Sequence, residues 1–448
     1  MSPHLAQRLA GLFPEHLASL IRRTQTALEA GGFGALLLGS GHSVDHFRDD
    51  HGPPFKSHAT FNAWVPVTGA PGSYVHFRPG NRPMLVFPIA NDFWHRPAAP
   101  PSDHWTPHFD IRIVNSPEAA RAVLPRSLAD TAFIGAPFAA LASWGVAAVN
   151  PIALLLQLDH DRAVKSDYEL ECLREANRIA ARGHRAAERC FRAGGAELDI
   201  ELAFLGACRQ REQELPYNPI IAVNEAGSTL HYQLLTREPA HRSRSLLIDA
   251  GASFEAYGSD ITRTYSAADT DFATLIGAMD RLQLALCAAL KPGLDWRDFH
   301  LDAVARIAAL LTDSGIVKGT PEHCVQSGLA KVFFPHGIGH LLGLQVHDAG
   351  GTLGSASGDE IERPADHPLL RLTRRLEGGF VVTVEPGIYF IDPLLERTRG
   401  TPQGQYIDWH RVEQLRPFGG IRIEDDLAIT KSGSENLTRP AFAALDPG

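Results

Sequence analysis

Four carboxylates and one histidine, Asp249, Asp260, Glu385, Glu424 and His340, occupy stretches of this sequence where charge is least expected. Asp249 ends the apolar run Leu246-Leu247-Ile248, and Asp260 lies in Ser259-Asp260-Ile261-Thr262. Glu385 follows Thr383-Val384, and Glu424 follows Ile421-Arg422-Ile423. Burying unpaired carboxylates in such strand-like surroundings is unfavourable by several kcal/mol per ion unless cations pair them. A pair of divalent metal ions would neutralise the set. The donors are hard and oxygen-rich, which favours manganese, cobalt or iron over a thiolate-type zinc site. Two such ions sharing bridging carboxylates would ready one water near neutral pH and polarise a scissile group. The residue types therefore point to metal-dependent hydrolysis.

Spacing supports this reading. A hairpin turning at Phe254-Glu255 would set Asp249 opposite Asp260, with Cβ atoms ~5 Å apart. Either aspartate alone would pass for a strand-end or turn residue, but facing like charges need a cation. His336-Gly337-Ile338-Gly339-His340 has histidines four apart, yet two glycines and Pro335 disfavour a regular helix, and the glutamate of an HExxH motif is absent. With His347, three histidines fall within twelve residues in an apolar, Gly-rich context. Pro386-Gly387 ends a strand at Glu385, and Arg422 and Glu424 share a face if Gly420–Glu424 is extended.

The elements that must position these groups divide the chain in two. At 448 residues it is too long for one ordinary domain. Residues 1–160 read as a small α/β domain. A helix over His16–Ala30 precedes strands at Ala35–Leu38, Ala63–Val67, Met84–Phe87 and Ala132–Gly135, with a helical segment at Pro117–Val123 and a loop at Phe47–Lys56. The polar stretch Asp159–Ser166 marks the boundary. Residues 161–448 open with a helix over Asp167–Arg192 and a second from Asp199, a natural N-cap, to Glu214. Strands and helices near Asp271–Lys291 and Trp296–Ser314 follow, then the strands carrying the remaining acidic residues.

A formal charge of −9 without a basic block argues against a nucleic-acid partner. Apolar runs look too short for the ~20 residues that cross a bilayer. Glu15 and His16 interrupt what a signal peptide would keep apolar, so a cytoplasmic place is expected. The five cysteines (Cys172, Cys190, Cys208, Cys287, Cys324) are scattered without a CxxC pair, as suits reduced thiols.

The order Asp, Asp, His, Glu, Glu, within LLIDAGASFEAYGSDITRTYS, FFPHGIGHLLGLQVHDAGG, TVEPGIYFID and FGGIRIEDD, resembles the pita-bread metallopeptidases. The match is to their Xaa-Pro dipeptidase (prolidase) branch, and within it to the bacterial proline dipeptidases that include organophosphorus acid anhydrolases. It extends to FRDDHGPPFK, FNAWVPV and NDFWH, and so covers nearly the whole chain. The resemblance implies a creatinase-like α/β N-terminal domain and an α+β C-terminal pita-bread domain. It implies that Asp249 binds one metal ion, that His340 and Glu385 bind the other, and that Asp260 and Glu424 bridge both. Manganese is the expected ion, with cobalt, iron or zinc as alternatives.

In that family a bridging hydroxide attacks the Xaa-Pro carbonyl carbon. Glu385 would shuttle the proton, while His231, His336 and His347 surround the substrate and stabilise the oxyanion. Arg371 would clamp the substrate carboxylate, a role suited to a planar guanidinium, and Arg422 matches a second arginine of the branch. Tyr217, Trp94 and Asp50 match residues that shape the substrate pocket. The N-terminal residues would reach it from a neighbouring subunit, so a homodimer is implied. All five ligand positions agree with the family. Aminopeptidase P shares those ligands but takes longer peptides, creatinase works without metal, and binding modules on this fold have lost ligands. Phosphotriester hydrolysis is expected as a side activity.

Overall fold

The computed structural model describes residues 2–91, 93, 94 and 99–445. It resolves into two compact units, Met1–Cys172 with Leu353–Glu360, and Leu173–Thr352 with Ile361–Gly448.

In the first unit a mixed sheet runs in the order Asp110–Val114, Met84–Pro88, Tyr74–Phe77, Ala35–Gly39, Thr131–Ile134, Ala148–Val149. The strand Ala35–Gly39 is antiparallel to Tyr74–Phe77 and parallel to Thr131–Ile134. All five of its residues are buried, as a strand covered on both faces requires. Leu37, Tyr74, Val86, Phe133 and Trp144 share one core.

The first helix is longer than predicted, Pro3–Gly31. It starts where the Ser2 hydroxyl accepts from the Leu5 N–H, with Pro3 in the first turn, and stops at Gly32, whose φ is 71°. The predicted strand over Ala63–Val67 is not formed. Ala59–Trp64 is a helix, with His58 as its cap and Phe61 and Trp64 buried. Their three-residue spacing serves a helical face, and burial of the two rings overrides the β-propensity of Trp64-Val65.

The second unit holds the acidic residues. Strands Ile220–Val223, Ser245–Asp249 and Thr262–Ser266 form an antiparallel sheet. Val381–Val384, Asp425–Ile429 and Ser434–Asn436 form another, and Gly387–Tyr389 pairs with Gly420–Arg422. A bridge between Thr262 and Glu424 links the sets.

The helix Asp167–Arg192 has its predicted bounds. The next runs Glu197–Cys208, and Asp199 is not its N-cap but sits inside the first turn, where its carboxylate accepts from the Ala196 N–H. The helix Asp271–Ala289 is apolar and long enough to cross a bilayer by composition, which corrects the sequence reading. It packs here on strands Thr262–Ser266, Val381–Val384, Gly420–Arg422 and Ser434–Asn436, and its Asp280 pairs with Arg439 at 2.8 Å.

Candidate metal centre

Strand alternation aims the first candidate ligand. Leu246 and Ile248 enter a core with Ile179, Phe191 and Phe204, whereas Leu247 packs on the other face with Ile220, Ala222 and Tyr389. Asp249 shares the face of Leu247 and so points into the cavity below.

The hairpin register differs from expectation. Thr262, not Asp260, lies opposite Asp249, and the turn falls at Glu255-Ala256, one residue later than predicted. Both turn residues have positive φ, 49° and 71°, the conformation that lets a two-residue turn follow strand twist. Residue 260 is two positions from 262 and keeps the same face. The aspartates are therefore diagonal neighbours rather than opposed ones.

The glycine-rich segment runs alongside the strand that ends at Glu385. The Thr383 N–H donates to the His340 carbonyl and the Glu385 N–H to the Ile338 carbonyl. A methyl group at Gly339 would collide with the Thr383 carbonyl oxygen, so only glycine permits this approach. His340 Nδ1 donates to the Leu341 carbonyl at 3.0 Å. That bond leaves Nε2 facing Asp260 Oδ2 at 3.4 Å and Glu385 Oε1 at 3.7 Å. Ligand atoms of Asp260, His340 and Glu424, all buried, lie within 4.8 Å of one another.

An imidazole lone pair aimed at carboxylate oxygens is stable only with a proton or a cation between them. The electrostatics of the cluster agree. Burial opposes charge on His340, but its hydrogen bond to Asp260 and the charges of Glu385 and Asp260 outweigh that and raise it to about 9. Burial lifts Glu385 to about 7 against His340 and Arg422. Burial, then the charges of Asp260, Glu385 and Asp249, hold Glu424 well above the carboxylate range. Burial also raises Asp249, against Arg422. Asp260 is lowered despite burial, by its hydrogen bond to His340. A cluster that takes up protons near neutral pH is one that dications would neutralise. The donor set fits divalent ions.

A second tier of groups holds the candidate ligands. The Tyr217 hydroxyl lies 2.7 Å from both Asp249 Oδ1 and Asp260 Oδ1, and its single hydrogen can serve only one at a time. Arg422 reaches Asp249 Oδ2 at 2.6 Å and donates to the Tyr389 hydroxyl at 2.9 Å and Thr262 Oγ1 at 3.0 Å. Thr262 in turn donates to Glu424 Oε2 at 2.7 Å. His336 Nδ1 donates to the Gly337 carbonyl and its Nε2 accepts from Tyr389, both at 2.8 Å, so both ring nitrogens are engaged.

Beneath the ligands, Asp426 accepts from the Asp260 N–H and from Asn177, while Asp425 pairs with Arg263 and Arg439. Burial opposes ionisation of Asp425, yet the two arginines hold it down at about 2. Sequence reading singled out neither residue, although the run Glu424-Asp425-Asp426 was a signal. Tyr389, Thr262 and Asn177 carried none.

A cavity of about 720 Å³ opens over the cluster. His231, His336, His347, Arg363, Arg371 and Arg422 supply its polar wall, and Ile220, Leu230, Val346 and Leu370 its apolar one. Desolvation and the charges of His340 and Arg371 lower His347 to about 4, so its imidazole is neutral. Arg371 is exposed and makes no hydrogen bond or ion pair among the described residues. Every cavity-lining residue belongs to the second unit. Asp50 and Trp94 belong to the first and are exposed, and of the NDFWH motif Asp92 and His95 lie outside the described residues.

Residues 11–160 match the Xaa-Pro dipeptidase N-terminal domain, and residues 171–431 match metallopeptidase family M24. An Xaa-Pro dipeptidase of Stenotrophomonas maltophilia (strain K279a) is 45% identical over 443 residues, 99% of this chain and 100% of that protein. One of Xanthomonas campestris pv. campestris (strain B100) is 46% identical over 437 residues, 97% and 99% of the two. Among solved structures, proline aminopeptidase P II from Yersinia pestis has a TM-score of 0.70 at 26% identity, covering 95% of this chain and 98% of that one. Zinc-substituted Escherichia coli aminopeptidase P shares the fold, with a TM-score of 0.70 at 23% identity over 95% and 98% of the chains. An N-terminal domain of the dipeptidase type joined to a pita-bread domain with this acidic centre defines a metallopeptidase. The chain belongs to metallopeptidase family M24, in its Xaa-Pro dipeptidase branch, and is an enzyme.

Proposed function

We propose that the chain hydrolyses Xaa-Pro dipeptides. The observation that carries this reading is the convergence of Asp260, His340 and Glu424 within 4.8 Å in a cavity whose wall also presents Arg371. In this reading Asp249, Asp260, His340, Glu385 and Glu424 would together hold the divalent ions. Bound there, the ions, manganese by the hardness of the donors, would supply Lewis acidity and lower the pKa of a water.

The protein's own groups do the rest. Arg371 pairs with the dipeptide's terminal carboxylate, which limits the substrate to two residues. His231 and His347, ring N–H donors on the cavity wall, meet the carbonyl oxygen as charge develops on it. His336 fixes Tyr389, which with Thr262 orients Arg422 against Asp249. Glu385, between His340 and His336 Nδ1 (3.6 Å), takes a proton and passes it to the proline nitrogen as the bond breaks.

Trp94 (77% exposed) lies against Phe93 in a tilted arrangement, with ring centroids 4.4 Å apart. Such exposed aromatic surface supports a homodimer in which Trp94 and Asp50 serve a partner's cavity. Five free cysteines fit a reducing cytoplasm. The same centre is expected to cleave small phosphotriesters slowly.

The test offers metal-stripped, manganese-reloaded protein an Xaa-Pro dipeptide beside a tripeptide with proline second. Cleavage of the dipeptide alone is expected; comparable cleavage of the tripeptide would make the chain an aminopeptidase. Arg371→Ala should raise KM for the dipeptide more than tenfold with a smaller change in kcat, as loss of a charge-assisted hydrogen bond does.

A further inference from the structure

Arg371 is carried by a strap, residues 361–372, that has no regular secondary structure. Its two ends are tied by backbone hydrogen bonds, from Ile361 N–H to the Thr352 carbonyl and from Thr373 N–H to the Gly351 carbonyl. Between them the strap stands over a second void of about 110 Å³, lined by His300, Phe334, His336, His367 and Leu370 among others. Leu370 and Leu372 are buried at its far end; over the void, where fewer atoms pack against it, the polar contacts that cross the gap help to decide where the strap sits.

One such contact crosses it in a buried setting. His300, on the helix Trp296–Asp313, is fully buried, and its Nε2 lies 2.8 Å from Nδ1 of His367 on the strap. The two rings meet edge to face, with centroids 4.5 Å apart. Among the described residues the other nitrogen of His300 is buried without a hydrogen-bond partner, and the bond to His367 is the one hydrogen bond its ring makes. Lys331 also reaches Asp366 on the strap, but at 3.6 Å and with Asp366 83% exposed, a geometry of little energetic weight. Beyond His367 the strap folds back: Leu370 N–H donates to the His367 carbonyl, and Arg363 Nε donates to the Leu370 carbonyl. Leu370 then packs against Gly337, and Arg371 follows directly.

We propose that His300 and His367 form a latch that holds this strap, and through it Arg371, at the height where the guanidinium meets a dipeptide carboxylate. Both histidines are positioning residues, and neither touches the substrate. The proposal rests on the reading of Arg371 as the carboxylate clamp.

His367 is half-buried on a loop, so His367→Ala is expected to fold. It should raise KM for an Xaa-Pro dipeptide about tenfold while kcat stays within about twofold. His367→Asn places an amide oxygen where Nδ1 lay and should restore a KM near that of the parent. In an Arg371→Ala background, His367→Ala should add almost nothing, because both changes remove the same contact. Backbone amides of residues 364–370 should exchange with deuterium faster in His367→Ala than in the parent.

A KM raised by Arg371→Ala but not by His367→Ala, or additive effects of the two, would overturn the latch and leave the clamp standing. A KM indifferent to Arg371→Ala would overturn the clamp, and exchange at residues 364–370 would then judge the latch alone. Unchanged exchange there sinks it, and faster exchange upholds it as a strap anchor.

Discussion

Among the described residues, two groups of acidic and imidazole side chains sit close enough to hold a metal ion on proximity alone: Asp49, Asp50 and His51 in the first unit, and Asp260, His340 and Glu424 in the second. The first group is exposed. Asp50 and His51 are 92% and 83% exposed at the side chain, and His51 Nδ1 already bonds Asp50 Oδ1 at 2.7 Å. Water solvates and screens those charges, so nothing there needs a cation. The second group is buried, and each of its three members is held by another side chain or by backbone. Tyr217 grips Asp260 as well as neighbouring Asp249, Thr262 grips Glu424, and the Leu341 carbonyl fixes the His340 tautomer. Proximity is common to both groups. What separates them is burial together with a scaffold of hydrogen bonds that fixes the donors in place.

The contrast breaks first at the ligands. Asp260→Asn should lower activity by more than the roughly 10–100-fold typical of outer-shell changes and should reduce metal content. A double Asp49→Asn, Asp50→Asn variant should leave the metal content of the purified protein unchanged by elemental analysis. Loss of metal in the double variant would erase the distinction.

The scaffold is tested next. Asp425 is wholly buried between Arg263 and Arg439, so Asp425→Asn should destabilise the protein by about 3–5 kcal/mol in denaturant melts, as removing one partner of a buried pair does. A surface pair such as Arg78 with Asp130 should contribute below about 1 kcal/mol by the same assay.

The smallest effect is on pH dependence. In metal-free protein Glu385 is raised from 4.5 to about 7 and His340 from 6.5 to about 9. The folded state thus binds more protons than the unfolded one between these limits, and stability falls as pH rises through them. The Tm of chelated protein should decline from pH 4.5 towards 9, and added metal should flatten the slope. A metal-free Tm that rises over this range would contradict the buried-cluster picture.

The comparison also explains what was legible in the sequence. Charged residues ending apolar strand-like runs announced Asp249, Asp260, Glu385 and Glu424, because burial of charge is a local pattern with a large energetic penalty. The alternation in Leu246-Leu247-Ile248-Asp249 was enough to aim one of them. Register was not legible. It turned on Glu255 and Ala256 adopting positive φ, and neither residue type advertises that conformation. Tyr217, 32 residues before Asp249, and Arg439, 14 after Asp425, meet their partners only through tertiary packing. The strand expected over Ala63–Val67 failed for a related reason. Phe61 and Trp64 bury on one helical face, and local β-propensity yields to that burial.

Chelation tests most directly whether the buried cluster needs cations. Metal content and Xaa-Pro dipeptidase activity should be followed together while purified protein is chelated exhaustively and then titrated with manganese. Activity should vanish with the metal and return as about two ions bind per chain. Full hydrolysis by metal-free protein, or recovery without ions bound at these residues, would contradict it.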